Sequence, residues 1–181
     1  MFFLAHLTEN LGVKRLAVAR VNEGAGLKAG RVDAGIIILG GFYKEEIPEI
    51  IHYGLEPSVY NMDLLRLLSI KAESAKKIVK VHLKINTGMN RLGIRPQKAQ
   101  EFINFIKKAR YLKLESVYTH FADADMGDDK RTKKQSDELL SLKETAGPGI
   151  FFHGANSGAI LKYPFGGFDA GRPGIMMYGS S

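Results

Sequence analysis

The stretch Gly35-Ile36-Ile37-Ile38-Leu39-Gly40-Gly41 is an apolar run that begins and ends with glycine. A strand covered on both faces of a sheet has no exposed side on which polar residues would alternate, so such a run is typical of a buried strand in a parallel sheet. Helical patterns lie on both sides of it, over residues 23–29 and 44–53. We therefore expect a strand that is connected to its neighbours through helices.

The same alternation of apolar runs and helical patterns continues in both directions along the chain. About seven strands are indicated, at residues 16–19, 35–41, 56–60, 78–85, 114–121, 149–152 and 171–178. Helical patterns occur between them, at residues 4–14, 23–29, 44–53, 62–77, 97–109 and 131–145. Strands that alternate with helices form parallel sheets of the α/β class. Because the composition does not break along the chain, we expect one continuous domain over residues 1–181.

A barrel and a doubly wound sheet are the two α/β architectures to be separated. The glycines of Arg20-Val21-Asn22-Glu23-Gly24-Ala25-Gly26 do not have the G-x-G-x-x-G spacing, and no clear ribose-binding acid follows about 20 residues later. The loops Asn156-Ser157-Gly158 and Gly171-Arg172-Pro173-Gly174 suit the phosphate site commonly built after strands 7 and 8 of a (β/α)8 barrel. The sequence therefore favours a TIM-type barrel over a dinucleotide-binding fold.

The composition is that of an ordinary globular protein: of 181 residues, 45% are hydrophobic and 25% are charged. No apolar run approaches the roughly 20 residues that cross a membrane, and the first residues lack the basic and long apolar regions of a signal peptide. We expect a cytoplasmic protein with no membrane partner. The chain has no cysteine, which excludes disulfides, thiolate catalysis and sulfur-ligated metals, and we expect no metal site.

The charge balance is basic, with 26 Lys and Arg against 19 Asp and Glu, a net charge of +7 and a pI of about 9.5. Such a balance is compatible with nucleic-acid binding. However, the basic doublets Lys76-Lys77, Lys107-Lys108 and Lys133-Lys134 are dispersed over helical patterns. Solvated helix faces are the simpler interpretation, with a site for a small anion as the second. We expect no nucleic-acid partner.

The chemistry-bearing residues are densest in Val81-His82-Leu83-Lys84-Ile85-Asn86-Thr87-Gly88-Met89-Asn90-Arg91-Leu92-Gly93-Ile94. Alternation along a strand places His82, Lys84 and Asn86 on one face. A lysine that points into a barrel needs a partner or changes its chemistry, since an unpaired buried ammonium is costly. Arg91, in a loop bracketed by glycines, could bind a carboxylate through two parallel hydrogen bonds. The alternative is that Lys84 and Arg91 are rim residues in solvent.

Residues 84–94 resemble the signature of alanine racemases, pyridoxal-phosphate enzymes that interconvert L-alanine and D-alanine. Further segments resemble the family in the same order along the chain, so the similarity covers nearly all of it. These segments are Leu16-Ala17-Val18-Ala19 with Glu23 and Leu27-Lys28-Ala29-Gly30, Thr119-His120-Phe121-Ala122 with Ala124-Asp125, His153-Gly154-Ala155-Asn156-Ser157, and Arg172-Pro173-Gly174-Ile175-Met176-Met177-Tyr178-Gly179. Agreement of several separated motifs is more specific than any single match.

The resemblance assigns roles around the dense stretch. It implies that Arg91 lies near the substrate carboxylate and that Lys84 is the lysine that is carbamylated in many members. A carbamate would turn an interior cation into an anion that holds Arg91 in place. The stretch departs from the usual motif at two positions, with Asn86 where aspartate is common and Asn90 where glycine often occurs. These departures change the local charge around Lys84.

The resemblance also implies a cofactor site for pyridoxal 5'-phosphate. Ser157 would offer its hydroxyl to the phosphate, and the backbone N–H groups around Gly174 and Ile175 would complete the cradle. Arg172 would face the pyridine nitrogen and leave it unprotonated, because a guanidinium keeps its proton. A supporting network is expected from His120, His153 and Asn156. The alternatives are that each histidine is a satisfied core residue and that Arg172 closes a turn.

The family uses two proton-transfer bases, a lysine that carries the cofactor as an aldimine and a tyrosine from the partner subunit's second domain. We expect both to be missing here, because no segment resembles the family's first strand or its C-terminal β domain. The chain would then be an incomplete barrel of strands two to eight and an inactive or incomplete fragment. In the full-length family the enzyme is a homodimer that binds a small amino acid and supplies D-alanine for peptidoglycan. The alternatives are a single-domain pyridoxal-phosphate-binding homeostasis protein and a non-catalytic remnant.

Overall fold

A computed structural model describes residues 2–125, 129–163 and 167–179. Within these residues the chain forms six strands and eight α-helices, which alternate over most of the chain. The strands are β1 (Arg15–Val18), β2 (Gly35–Ile38), β3 (Glu56–Val59), β4 (Val79–Lys84), β5 (Leu112–Tyr118) and β6 (Phe151–His153). The helices are α1 (Phe2–Asn10), α2 (Val21–Ala29), α3 (Ile47–Tyr53), α4 (Met62–Ala75), α5 (Ala99–Lys108), α6 (Asp129–Leu140), α7 (Lys143–Ala146) and α8 (Ser157–Lys162).

The six strands neighbour one another in chain order, from β1 to β6. Parallel pairing joins β1 to β2, β2 to β3 and β5 to β6, with Arg15 opposite Gly35 and Tyr118 opposite His153. The predicted α/β class with a parallel sheet is confirmed, and strands that neighbour each other in chain order are those of an incomplete TIM-type barrel. Their numbering as strands two to eight stays a prediction. No described helix is long and apolar enough to cross a membrane.

Two compact units divide the described chain, one formed by residues 2–82 and 107–113 and the other by 83–106 and 114–179. In the first unit the isoleucines of β2 are buried, as the opening apolar run predicts. Helix α2 lies close against this strand, because a Cβ added at Gly24 would be 2.9 Å from Ile38 Cδ1. A larger residue at position 24 would therefore push α2 away from the sheet.

A buried ionic cluster surrounds Glu56, the first residue of β3. Its side chain is bonded to Arg15 Nε and His82 Nε2 at 3.0 Å each, and Lys80 Nζ lies 3.4 Å away. Burial opposes the charge of Glu56, but the hydrogen bonds and charges of His82 and Arg15 outweigh it and lower the pKa of Glu56 to about 2. The carboxylate therefore stays ionised and joins β1, β3 and β4. Sequence patterning did not identify this cluster.

The predicted seventh strand, residues 171–178, is wrong. Ile175–Tyr178 forms a short 3-10 helix, and Ala170 makes only a single parallel bridge with His153. Arg172 N–H still donates to the Ala155 carbonyl at 2.8 Å, but beyond it the Gly174 and Met176 N–H groups donate to Ser157 Oγ, at 2.9 and 3.4 Å, and not to a neighbouring strand. Pro173 has no N–H at all. A ladder cannot form where the donors are absent or already paired.

The predicted helices are recovered with bounds that differ by a few residues: α2 begins two residues earlier than predicted, whereas α4 and α5 are shorter. The predicted helix at residues 131–145 is two helices, α6 and α7, and short 3-10 segments at Lys44–Glu46 and Pro96–Lys98 precede α3 and α5. Helix α8 was not predicted, because six residues are too short for a 3.6-residue period to be visible. The first helix ends earlier than expected, since α1 stops at Asn10 and Gly12 adopts a left-handed turn at φ +85°.

Candidate active site

Three consecutive strands end on residues that lie together in the second unit. Lys84, Tyr118 and His153 are the last residues of β4, β5 and β6. The Tyr118 ring stacks on the His153 ring with centroids 4.8 Å apart and planes parallel within 1°. Lys84 Nζ lies 4.9 Å from the centroid of Tyr118, and Arg172 Cζ lies 5.2 Å from it. The end of β4 and the segment around Arg172 therefore bring two cations to one aromatic ring.

Arg172 is held by backbone carbonyls and by a histidine. Its Nη2 donates to the Thr119 carbonyl at 2.7 Å and to the Gly154 carbonyl at 3.3 Å, while Nη1 donates to His153 Nδ1. Because a guanidinium only donates, His153 Nδ1 accepts. The ring proton then lies on Nε2, which faces Ser116 Oγ at 3.0 Å. Arg172 and His153 thus belong to one network, and Arg172 does more than close a turn.

The electrostatics of the site oppose positive charge. Burial, followed by the charges of Arg172 and Arg91, lowers the pKa of Lys84 to about 8. Burial and then the charges of Arg172, Lys84 and Arg91 lower the pKa of His120 to about 4. Burial also lowers the pKa of Arg172 to about 10, which leaves it a cation at neutral pH. His120 is therefore neutral, and the site attracts an anion.

The sequence left open whether Lys84 and Arg91 are rim residues in solvent, and the structure gives a different answer for each. Lys84 is 6% exposed, so the interpretation as a rim residue is wrong for it. Arg91 is exposed, in the loop that follows β4, and its charge still acts on the pKa of Lys84 and of His120. The loop is held by side-chain bonds of Asn86, whose Oδ1 accepts from the backbone N–H groups of Gly88 and Asn90.

Backbone donors converge on Ser157, the first residue of α8. Its buried Oγ accepts from Gly174 N–H at 2.9 Å and from Met176 N–H at 3.4 Å. Ile175 lies between these two residues, and its side chain is 64% exposed. Asn156, the residue before Ser157, caps α8 through its Oδ1, which accepts from Ala159 N–H at 3.0 Å, and its Nδ2 donates to the Phe121 carbonyl at 3.4 Å. A hydroxyl and main-chain N–H groups therefore meet at one point.

Sequence reasoning missed three side chains of the site. Tyr118 and Ser116 lie on the same face of β5, and this alternation is visible in the sequence. Gln135 of α6 is 1% exposed and links two loops: its Oε1 accepts from Ala122 N–H at 3.1 Å and its Nε2 donates to Thr87 Oγ1 at 3.2 Å. No local pattern marks Gln135, since its partners are far away in the sequence.

Together these features define a parallel α/β domain with a cationic ligand site at the carboxyl ends of its strands. A family model described as "Alanine racemase, N-terminal domain" matches residues 1–181. The chain belongs to the alanine racemase family.

Relatives and solved structures are consistent with this assignment. The alanine racemase of Treponema denticola is 41% identical over 176 residues, which are 93% of this chain and 46% of the relative, and that of Carboxydothermus hydrogenoformans is 38% identical over 172 residues, with the same coverage. The alanine racemase of Clostridium difficile 630 in complex with cycloserine superposes with a TM-score of 0.92 at 31% identity, covering 98% of this chain and 50% of that one. The chain spans about half the length of the curated relatives it matches.

Proposed function

We propose that this chain provides the carboxylate-binding and cofactor-phosphate-binding part of a pyridoxal-phosphate-dependent alanine racemase. The observation that carries the proposal is the meeting of Lys84, Arg172 and His153 at the Tyr118 ring, at the carboxyl ends of β4, β5 and β6. The enzyme would interconvert L-alanine and D-alanine in the cytoplasm, as a homodimer, and supply D-alanine for peptidoglycan. The family's relatives support the substrate class.

The residues of the site fit a phosphate-bearing cofactor. A Cβ added at Gly174 would have no neighbour closer than Ser157 Oγ at 4.0 Å, so there is open space beside the hydroxyl. Ser157 and the N–H groups around Gly174 and Ile175 would bind the phosphate, and Arg172 would donate to the ring nitrogen without releasing its own proton. When bound, pyridoxal phosphate supplies an electron sink that makes the α-proton of an amino acid exchangeable.

Lys84 and Arg91 would act on the substrate side. A Lys84 pKa of about 8 leaves part of its amine uncharged near neutral pH. An uncharged amine adds to carbon dioxide, forming an N–C bond and releasing one proton, and the product is an anionic carbamate. That anion would hold the guanidinium of Arg91, which would bind the alanine carboxylate. His120 and His153 would stay neutral and orient Arg172.

The two proton-transfer bases are not assigned to any residue of this chain. The resemblance implies that one is a lysine of the family's first strand and the other a tyrosine of the second domain. We therefore propose that the chain by itself binds ligands and does not racemise alanine. In a complete enzyme, the described residues would bind, orient and neutralise charge, while the proton moves between groups outside them.

Kinetics of an enzyme of full length test the role of Arg91. The chain replaces the matching part of the Treponema denticola alanine racemase, and racemisation of L-alanine is followed by chiral analysis. Arg91→Ala is expected to raise KM for alanine about 10- to 100-fold, since a hydrogen bond to a charged group contributes about 1.5–3 kcal/mol. Arg95→Ala, which removes another exposed arginine from the same region, serves as the matched control. An unchanged KM in Arg91→Ala would refute the carboxylate role.

A binding experiment tests the phosphate site in the chain itself. Pyridoxal phosphate is titrated and its phosphorus NMR signal is followed, with Ser157→Ala expected to weaken binding about tenfold. Ser141→Ala, at the exposed residue that directly follows α6, is the control. Borohydride treatment then separates the alternatives: a specific lysine labelled by the cofactor would contradict the proposal that the Schiff-base lysine lies outside this chain.

A further inference from the structure

The loop over residues 86–94 carries one charged side chain, that of Arg91. Main-chain hydrogen bonds close the two ends of this loop: Asn86 N–H donates to the Ile94 carbonyl at 2.8 Å, and Ile94 N–H donates to the Lys84 carbonyl at 3.0 Å. Gly93 permits this closure, because it has φ +117° and a Cβ there would be 2.7 Å from Asn86 N. These contacts fix the ends of the loop. The middle of the loop, where Arg91 lies, is not held by these main-chain bonds.

The side chain of Asn86 reaches into the middle of the loop. Its Oδ1 accepts from Gly88 N–H at 3.1 Å and from Asn90 N–H at 3.0 Å. Its Nδ2 donates to Asn90 Oδ1 at 3.1 Å. The amide orientation is determined by these partners, since only the oxygen can accept from N–H and only the nitrogen can donate. Asn86 therefore ties Asn90 through both its backbone and its side chain.

Asn90 adopts a backbone conformation that most side chains avoid. Its φ is +57°, in the left-handed region that asparagine tolerates better than other non-glycine residues. The dihedral angles of Asn90 set the direction in which the chain continues to Arg91. The contact with Asn86 therefore holds the residue that orients Arg91, and a glycine at position 90 could not make the side-chain part of it.

The loop has a separate attachment to α6 at its beginning. Arg131 Nη2 donates to the Gly88 carbonyl at 3.2 Å, and Gln135 Nε2 donates to Thr87 Oγ1 at 3.2 Å. Removal of the Asn86 side chain would leave these two anchors in place. The segment released would be the one around Asn90 and Arg91, so the expected consequence is a misdirected guanidinium and not an unfolded loop.

We propose that Asn86 is a positioning residue that, through Asn90, directs Arg91 toward the substrate carboxylate. The inference rests on the proposed function, in which Arg91 binds that carboxylate. Asn86 itself contacts backbone and side-chain amides of the loop and need not touch the substrate.

The test uses the enzyme of full length described above, with Asn86→Ala, Asn86→Asp and Asn90→Gly. Asn86→Ala removes all three bonds and is expected to raise KM for alanine about tenfold, with kcat changed much less, because displacement of a binding group weakens ground-state and transition-state binding alike. Asn86→Asp retains an oxygen for the two backbone donors and is expected to restore most of the affinity. Asn90→Gly removes the side-chain bond alone and is expected to have an intermediate KM.

Asn104→Ala is the matched control. It removes an amide–amide hydrogen bond from the exposed face of α5, where Gln100 Nε2 donates to Asn104 Oδ1 at 2.8 Å. Hydrogen exchange of the peptide that contains residues 86–94 gives a readout that does not depend on activity. Exchange there is expected to accelerate in Asn86→Ala and to stay unchanged in Asn104→Ala.

The outcomes separate this inference from the proposed function. If Arg91→Ala raises KM and Asn86→Ala leaves both KM and the exchange unchanged, the positioning role is wrong and the carboxylate role stands. If Arg91→Ala has no effect on KM, the proposed function fails, and with it the role given to Asn86. Equal losses of kcat and of thermal stability in Asn86→Ala and Asn86→Asp would indicate a purely structural residue and overturn the inference.

Discussion

Lys84 is a buried amine whose surroundings oppose its charge. It is 6% exposed, it faces the Tyr118 ring, and the charges acting on its pKa, those of Arg172 and Arg91, are positive. Burial and like charge therefore both favour the neutral form. A site of this kind is more stable when the amine loses its charge or when an anion is added nearby, and each of these changes can be measured.

We expect Lys84→Met to stabilise the fold at pH 7. The Lys84 pKa is about 8 in the folded state and is 10.5 in a free lysine, so the cost of its charge is fully present below pH 8 and disappears as pH rises to 10.5. The gain at pH 7 is on the order of 3 kcal/mol.

Urea unfolding in buffer free of carbon dioxide, at pH 7 and pH 9.5, measures this gain. It should shrink at the higher pH, and Lys71→Met, at an exposed position of α4, should show no such change. A gain that is equal at both pH values would contradict the assignment.

At the scale of elements, the site depends on where strands end. Three parallel strands end on Lys84, Tyr118 and His153, and the loops that follow carry Arg91 and His120. Loops of this kind need support from outside the sheet. Helix α6 supplies it, because the buried amide of Gln135 bonds to the loops after both β4 and β5.

Gln135→Leu is expected to destabilise the fold by about 1–3 kcal/mol, because the Ala122 N–H and the Thr87 hydroxyl lose a buried partner. The change keeps a similar volume, so lost hydrogen bonds dominate the effect. Gln100→Leu, at an exposed position of α5, is the comparison, and thermal unfolding is the measurement. An equally small loss in both variants would show that Gln135 does not support these loops.

At the scale of the whole molecule, each unit contains a titratable side chain whose protonation destabilises the fold. Glu56 in the first unit has a pKa of about 2, and His120 in the second has a pKa of about 4. Both values lie below those of the free side chains, which are 4.5 and 6.5. In each case the unfolded chain binds a proton before the folded chain does, so acid favours unfolding.

We expect the unfolding temperature to rise from pH 4 to pH 6.5 through His120, and from pH 2 to pH 4.5 through Glu56. His120→Gln should flatten the first window. Glu56→Gln should flatten the second and also destabilise the protein at neutral pH by about 3 kcal/mol, because Arg15 and His82 lose a buried partner. Circular dichroism melts at each pH measure both effects, and a flat profile in the unmodified chain would refute them.

Part of the +7 net charge of the sequence lies at one site in the structure. In the second unit the charges of Arg172 and Arg91 lower the pKa of Lys84, and all three cations lower that of His120, so an anion would be attracted there. The dispersed lysine doublets behave differently, since Lys76, Lys77, Lys107 and Lys108 are exposed on or beside helices. A part of the net charge is therefore concentrated at a site, and most of the remainder is solvated.

The sequence by itself determined the class of fold and several members of the site. Apolar runs and 3.6-residue patterns predicted seven strands, of which six form, and most helices. A period of two placed Lys84 and His82 on one face of β4. These signals are local properties of the chain. Tertiary structure alone decided the rest: that Lys84 and Arg172 both lie near the Tyr118 ring, that Gln135 joins two loops, and that Glu56 binds Arg15 and His82. It also decided that residues 175–178 form a 3-10 helix, because the Gly174 and Met176 N–H groups donate to the Ser157 side chain and not to a strand. Periodicity reports which way a side chain points, whereas its partners come from segments that only folding brings together.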